Sequence, residues 1–126
     1  MGYYDEIAEP DINEGLEEMA CFDDAVLIDV RTPDEYMKGH VPGAVNIEAG
    51  SLKRRNRKWV ESVLKDKDAH IFMYCYSGSR SGISAGALRQ MGYFRAKNIG
   101  GYMDYDGPVS KEQNISEEEG AENGKI

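Results

Sequence analysis

The sequence predicts an α/β domain built on a parallel sheet, because short apolar runs alternate along the chain with segments of helical pattern. One run, Ala25 to Val30, is apolar almost throughout, as a strand covered on both faces must be. The length of 126 residues and a hydrophobic content of 40% fit one domain with a sizeable core, and a second catalytic domain is not expected.

The elements follow in order. Ile12 to Cys21 reads as a helix that buries Leu16, Met19 and Ala20. Ala25 to Val30, broken only by Asp29, is the first strand. In Thr32-Pro33-Asp34-Glu35, Thr32 is the N-cap, Pro33 takes the first helical position and Glu35 completes a capping box, so a short helix starts here and ends by Gly39. Pro42-Gly43 forms a turn, and Val41 to Ile47 holds a second short strand. Arg57 to Lys65 is a helix with Trp59, Val60 and Leu64 available for burial. Ile71 to Tyr74 is the most strand-like segment. Ser81 to Met91 is the helix after it, with Ile83, Ala87, Leu88 and Met91 toward one side and Gly82, Ala85 and Gly86 small enough for close packing on the sheet. Lys97 to Ile99 is a last strand before Gly100-Gly101.

The organisation expected is an acidic N-terminal segment (1–11), a domain (12–109) and an acidic tail (110–126) that is polar, free of aromatic residues and disordered. Net charge is -8, unevenly spread: residues 1–24 carry -9, 25–103 carry +6 and 104–126 carry -5. A positive centre favours an anionic substrate or acidic partner, whereas acidic ends argue against nucleic-acid binding. Apolar stretches too short for a membrane span, and an N-terminus without the plan of a signal peptide, lead to the expectation of a soluble, cytoplasmic protein. Cys21 and Cys75 lie far apart and match no zinc spacing, so reduced thiols are expected rather than a disulfide or structural metal.

Chemistry concentrates in Tyr74-Cys75-Tyr76-Ser77-Gly78-Ser79-Arg80-Ser81, where a strand delivers a cysteine into a Gly/Ser loop that opens a helix. N–H groups at a helix start lack intrahelical partners and sit at the positive end of the dipole. Small residues let several of them converge on one anionic atom, which would lower the thiol pKa of Cys75. Gly78 gives the loop its curl, Ser77, Ser79 and Ser81 are candidate caps or donors, and Arg80 adds a permanent charge suited to an oxyanion.

Three stretches resemble rhodanese-like domains. Leu27-Ile28-Asp29-Val30-Arg31-Thr32-Pro33-Asp34-Glu35-Tyr36, followed by Gly39-His40-Val41-Pro42-Gly43-Ala44-Val45-Asn46-Ile47, is similar to their opening motif. Tyr74 to Ser81 resembles their active-site loop, and Ile99-Gly100-Gly101 with Tyr105 their closing Gly-Gly motif, usually marked by Trp where Tyr105 stands. The resemblance spans roughly residues 12 to 108. It implies a doubly wound parallel sheet of about five strands with helices on both faces, and a sulfurtransferase that requires no cofactor or metal. Cys75 would take sulfur from a donor such as thiosulfate, become a persulfide and pass the sulfur to cyanide or a protein thiol, a ping-pong covalent route. Tyr76 to Arg80 would cradle the substrate, with Asp29, Arg31 and Ser81 in support.

Loop length separates this chemistry from phosphate chemistry. Related phosphatases place five residues between Cys and Arg; here four, Tyr76 to Ser79, lie between Cys75 and Arg80, and none is acidic. Many sulfurtransferases carry Arg or Lys directly after the cysteine, but Tyr76 stands here, so a low-molecular-weight persulfide or a protein donor joins thiosulfate as an expected donor. A noncatalytic module that docks a partner or senses sulfur and redox state is the alternative on the same fold.

The remaining residues read as structural. Arg31 is expected to pair with Glu35 or Asp29 and pin the loop, His40 to hold its Gly-His-Val-Pro-Gly turn, and Cys21 to fill the core. Five cations within Lys53-Arg54-Arg55-Asn56-Arg57-Lys58 could steer anions or dock an acidic partner.

Overall fold

The computed structural model describes residues 10–53 and 57–112. Four strands form one parallel sheet in the order β2-β1-β3-β4: β1 (Val26–Asp29), β2 (Val45–Asn46), β3 (Ile71–Cys75) and β4 (Ala96–Gly101). Among the described residues the helices are α1 (Ile12–Met19), α2 (Pro33–Lys38), α3 (Ala49–Lys53), α4 (Arg57–Val63) and α5 (Ser79–Gln90), with a 3-10 turn at Tyr102–Asp104. The sheet has four strands among the described residues where about five were expected. β2 lies within Val41 to Ile47 after the Pro42-Gly43 turn, as expected, and that turn is closed by Ala44 N–H on Val41 O.

Apolar side chains cover both faces of the sheet, which is why β3 is buried at all five positions. On one face Ile12, Leu27, Tyr36, Val41, Phe72, Tyr74 and Ile99 pack under α1 and α2. On the other, Ile28, Val30, Leu52, Val60, Met73, Cys75, Ala85 and Leu88 pack under α3, α4 and α5. Side-chain alternation along β3 therefore puts Tyr74 and Cys75 on opposite faces.

Several helical expectations shift. α1 is capped by Asp11, which accepts from Asn13 N–H at 3.0 Å, and ends at Met19; Leu16 and Met19 are half-buried, but Ala20 is exposed. Cys21 falls in the turn beyond the helix and is exposed, not a core filler. α2 keeps the expected box: Thr32 Oγ1 accepts from Glu35 N–H and Glu35 Oε1 accepts from Thr32 N–H at 2.9 Å. In α4, Val60 is buried and Trp59 half-buried, and Leu64 is buried just beyond it. α5 begins at Ser79, two residues earlier than expected. It meets the sheet through Ser81, Ser84, Ala85 and Leu88, so Ile83 is left 64% exposed and Gly86 only half-buried.

The segment after β4 returns to the opening motif, where Ser110 pairs with His40 in an isolated antiparallel bridge. The acidic N-terminus (1–9), the centre of the basic patch (54–56) and the acidic run 113–126 lie outside the described residues; Arg57 and Lys58 are exposed. Among the described residues no helix is long and apolar enough to cross a membrane.

Candidate active site

β3 ends at Cys75 and α5 starts four residues later, so the intervening turn has to fold back over the sulfur. Gly78 makes this possible with φ +96°, a left-handed conformation that side-chain-bearing residues seldom adopt. Gly78 is also the N-cap of α5 and has no side chain to accept from the first turn, so none of the three serines caps the helix. The sulfur fills that role instead. Cys75 Sγ accepts from Gly78 N–H at 3.1 Å, from Ser81 N–H at 3.4 Å and from Ser81 Oγ at 3.4 Å. Ser81 is the third residue of α5, so its N–H is one of those a helix start leaves without a partner.

Burial opposes ionisation of Cys75, but donation from Ser81 Oγ and from the N–H groups of Ser81, Gly78 and Ser77 outweighs it and holds the thiol below its ordinary pKa. The residue has 0% exposure. Its neighbour Tyr76 is 48% exposed, and Ser77 and Ser79 face solvent with their hydroxyls 3.4 Å apart.

Two residues that sequence reasoning did not assign to the site complete it. Asn98, on β4, accepts from Ser81 Oγ at 2.7 Å and from Gly100 N–H at 3.0 Å, and donates from Nδ2 to Gly78 O at 3.1 Å. It thereby ties both ends of the sulfur cradle to the sheet. Glu35, read as a capping residue and as one of two expected partners of Arg31, accepts from Arg80 instead, with NH1 to Oε1 at 2.9 Å and NH2 to Oε2 at 3.3 Å. That contact crosses 45 residues of sequence and leaves no local signal. Asn98 had one: a polar side chain within a buried strand, directly before the Gly-Gly pair.

Gly101 fixes the loop from below. A Cβ there would lie 2.3 Å from Tyr76 O and 2.8 Å from Ser77 Cα, so only glycine lets the loop backbone rest on β4. Met103 N–H then donates to Tyr76 O at 3.0 Å.

Asp29 and Arg31 do not reach the sulfur. Asp29 is packed on the Tyr74 face, where Tyr74 OH donates to Oδ2 at 2.8 Å. Arg31 donates to Asp29 from Nε at 3.0 Å and from NH2 at 2.8 Å, and to Gly39 O at 2.7 Å, with its guanidinium 4.3 Å from the Tyr102 ring centroid. Of its two expected partners Arg31 takes Asp29, while Glu35 goes to Arg80. His40 is buried, stacked on Tyr36 at 3.6 Å with Nδ1 2.8 Å from Tyr36 O, and holds its turn.

A thiol below its ordinary pKa, cradled by donors that also fit an added anionic sulfur, is equipped for nucleophilic covalent chemistry. Comparison with known proteins bears on which kind. Residues 13–107 match the family described as "Rhodanese-like domain". Thiosulfate sulfurtransferase PspE of Escherichia coli is 37% identical over 67% of this chain and 77% of its own length. A sulfurtransferase of Allochromatium vinosum is 32% identical over 75% of this chain and 83% of its own. The solved structure of a rhodanese with anions from E. coli superposes with a TM-score of 0.60 at 35% identity, covering 70% of this chain and 99% of that one. Relatives named for sulfur transfer thus share the sequence and the fold, and the chain belongs to the rhodanese-like domain family.

Proposed function

We propose that the protein is a sulfurtransferase that carries sulfane sulfur as a persulfide on Cys75. The observation that supports this most is the convergence of Gly78 N–H, Ser81 N–H and Ser81 Oγ on Sγ. The thiolate attacks the outer sulfur of a donor, thiosulfate or an organic persulfide. An Sγ–S bond forms, the donor's S–S bond breaks, and sulfite or a thiolate departs with the electron pair. The persulfide anion then lies among the same donors, which replace the hydration it loses. A thiophilic acceptor, cyanide or a protein thiol, takes the outer sulfur and returns the thiolate. No net oxidation occurs, so residues of the loop suffice.

The test is to incubate the purified chain with thiosulfate or glutathione persulfide, weigh the Cys75 peptide by mass spectrometry and follow thiocyanate after adding cyanide. One added sulfur on Cys75, absent in Cys75→Ala, is expected. No loading from either donor, or undiminished turnover in Cys75→Ala, overturns the proposal; loading without transfer points to a sulfur-sensing module, and hydrolysis of an aryl phosphate to a phosphatase.

A further inference from the structure

Arg80 is the one cation within the Cys75 to Ser81 loop, and its charge is already answered. The two-point contact with Glu35 fixes the guanidinium. Glu35 is held ionised: donation from Arg80 outweighs its partial burial, Thr32 N–H adds to it, and its pKa falls to about 2. Because the same carboxylate closes the α2 capping box, it is anchored from both sides. Beside this neutral pair, no other charged side chain within the Cys75 to Ser81 loop offsets a Cys75 thiolate. Thiosulfate brings both of its charges to the reacting sulfur and its sulfonate and meets repulsion there, whereas an organic persulfide brings at most one charge to its two sulfurs, any others lying out on the carbon-bearing part.

The walls next to Arg80 are apolar. A shallow, solvent-open cleft of about 50 Å³ runs between α3 and α5, lined by Ala49 and Leu52 on one side and by Arg80, Ile83, Ser84 and Ala87 on the other. The α5 residues follow the i, i+3, i+4, i+7 spacing of one helix face. Ile83 stays 64% exposed along this wall, and at the loop Tyr76 and Met103 are also large exposed apolar groups.

We infer that the donor is a low-molecular-weight organic persulfide whose carbon-bearing part sits in the α3–α5 cleft, and that Glu35, by holding Arg80, disfavours thiosulfate. This rests on the sulfurtransferase reading above. In the step, Sγ attacks the terminal sulfur of R–S–SH, the Sγ–S bond forms and the donor S–S bond breaks. RS⁻ leaves with the electron pair and the proton travels with the transferred sulfur.

The experiment measures second-order rate constants for loading sulfur onto Cys75, by mass spectrometry, with glutathione persulfide and with thiosulfate, in the parent, Glu35→Gln and Ile83→Asn. Glutamine keeps a capping-box acceptor and removes the charge. The parent should favour the persulfide by about tenfold or more, and Glu35→Gln should raise the thiosulfate constant about tenfold, the loss of one close charge interaction. Ile83→Asn, at an exposed position, should lower the persulfide-to-thiosulfate ratio about fivefold through lost apolar contact. A parent that loads thiosulfate as fast as the persulfide, or a ratio unmoved by Glu35→Gln, overturns the inference while leaving the sulfurtransferase reading standing. If Glu35→Gln fails to fold by circular dichroism, the Ile83→Asn ratio decides, and an unchanged ratio overturns it. Loading from neither donor removes both.

Discussion

Replacing Ser81 by Ala isolates the side-chain part of the sulfur cradle. The backbone donors Gly78 N–H and Ser81 N–H remain, while the hydroxyl 3.4 Å from Sγ is lost. That hydroxyl has one proton and three acceptors within reach, Asn98 Oδ1 at 2.7 Å, Gly78 O at 3.2 Å and Sγ. With a thiol at position 75 the short contact to Asn98 holds the proton; with a thiolate, charge draws it to sulfur. A hydrogen bond to a charged group contributes about 1.5–3 kcal/mol, and sharing the proton places this one near the lower limit, equivalent to about one pKa unit. Asn98 Oδ1 keeps Gly100 N–H, so no orphaned acceptor confuses the result. The assay is the pH dependence of iodoacetamide alkylation at Cys75, read on its peptide. The midpoint should rise by about one unit in Ser81→Ala. An unchanged or lower midpoint in a folded variant refutes the idea that the hydroxyl stabilises the thiolate. Stability must follow: the folded thiol pKa lies below its unfolded value, so this contribution is fully present above the unfolded pKa and disappears as pH falls through the folded one. Parent and variant should therefore differ more in alkaline than in acidic urea titrations.

Gly101→Ala should cost about 1–3 kcal/mol in urea unfolding, because the new methyl group must displace backbone at Tyr76 and Ser77 rather than a flexible side chain, and sulfur loading should fall with it. Asp29→Asn leaves the buried Arg31 without its counter-charge and should destabilise by about 3–5 kcal/mol, visible as a lower urea midpoint at unchanged slope. Glu35, with a folded pKa near 2, stabilises above the ordinary carboxylate range and loses that contribution as pH falls toward 2. The Glu35–Arg80 pair is partly solvated, so Glu35→Gln should cost no more than about 1 kcal/mol at pH 7, and parent and variant should converge in acid melts.

The loop could be read from sequence because its chemistry is local: β-branched and aromatic residues into a cysteine, then small residues into a helix, place the sulfur at a helix start without reference to the rest of the chain. The layering of helices on both faces was legible for a similar reason, since Ala25 to Val30 and Ile71 to Tyr74 have no polar face to offer water. Contacts made across the sheet left no such trace. Glu35 has a capping box on its own helix and Arg31 close by in sequence as ready partners, and both conceal its reach to Arg80. α5 misled for a different reason: its buried face is Ser81, Ser84, Ala85 and Leu88, so close approach to β3 and β4 is secured by small side chains, and the conspicuous Ile83 points outward. Cys21 was misplaced because α1 ends two residues early, at Met19, and leaves Cys21 in the exposed turn beyond it.

The concealment of Cys75 gives this chain an internal clock. A sulfur without exposed surface is expected to react through the fraction of molecules whose loop has opened, so a reagent's rate should follow its intrinsic rate multiplied by an opening equilibrium, in the manner of a protected amide in hydrogen exchange. Cys21, exposed on the same polypeptide, supplies the unprotected reference under identical conditions. The ratio of labelling rates at the two thiols, once each is corrected for its thiolate fraction, measures how often the site admits a molecule.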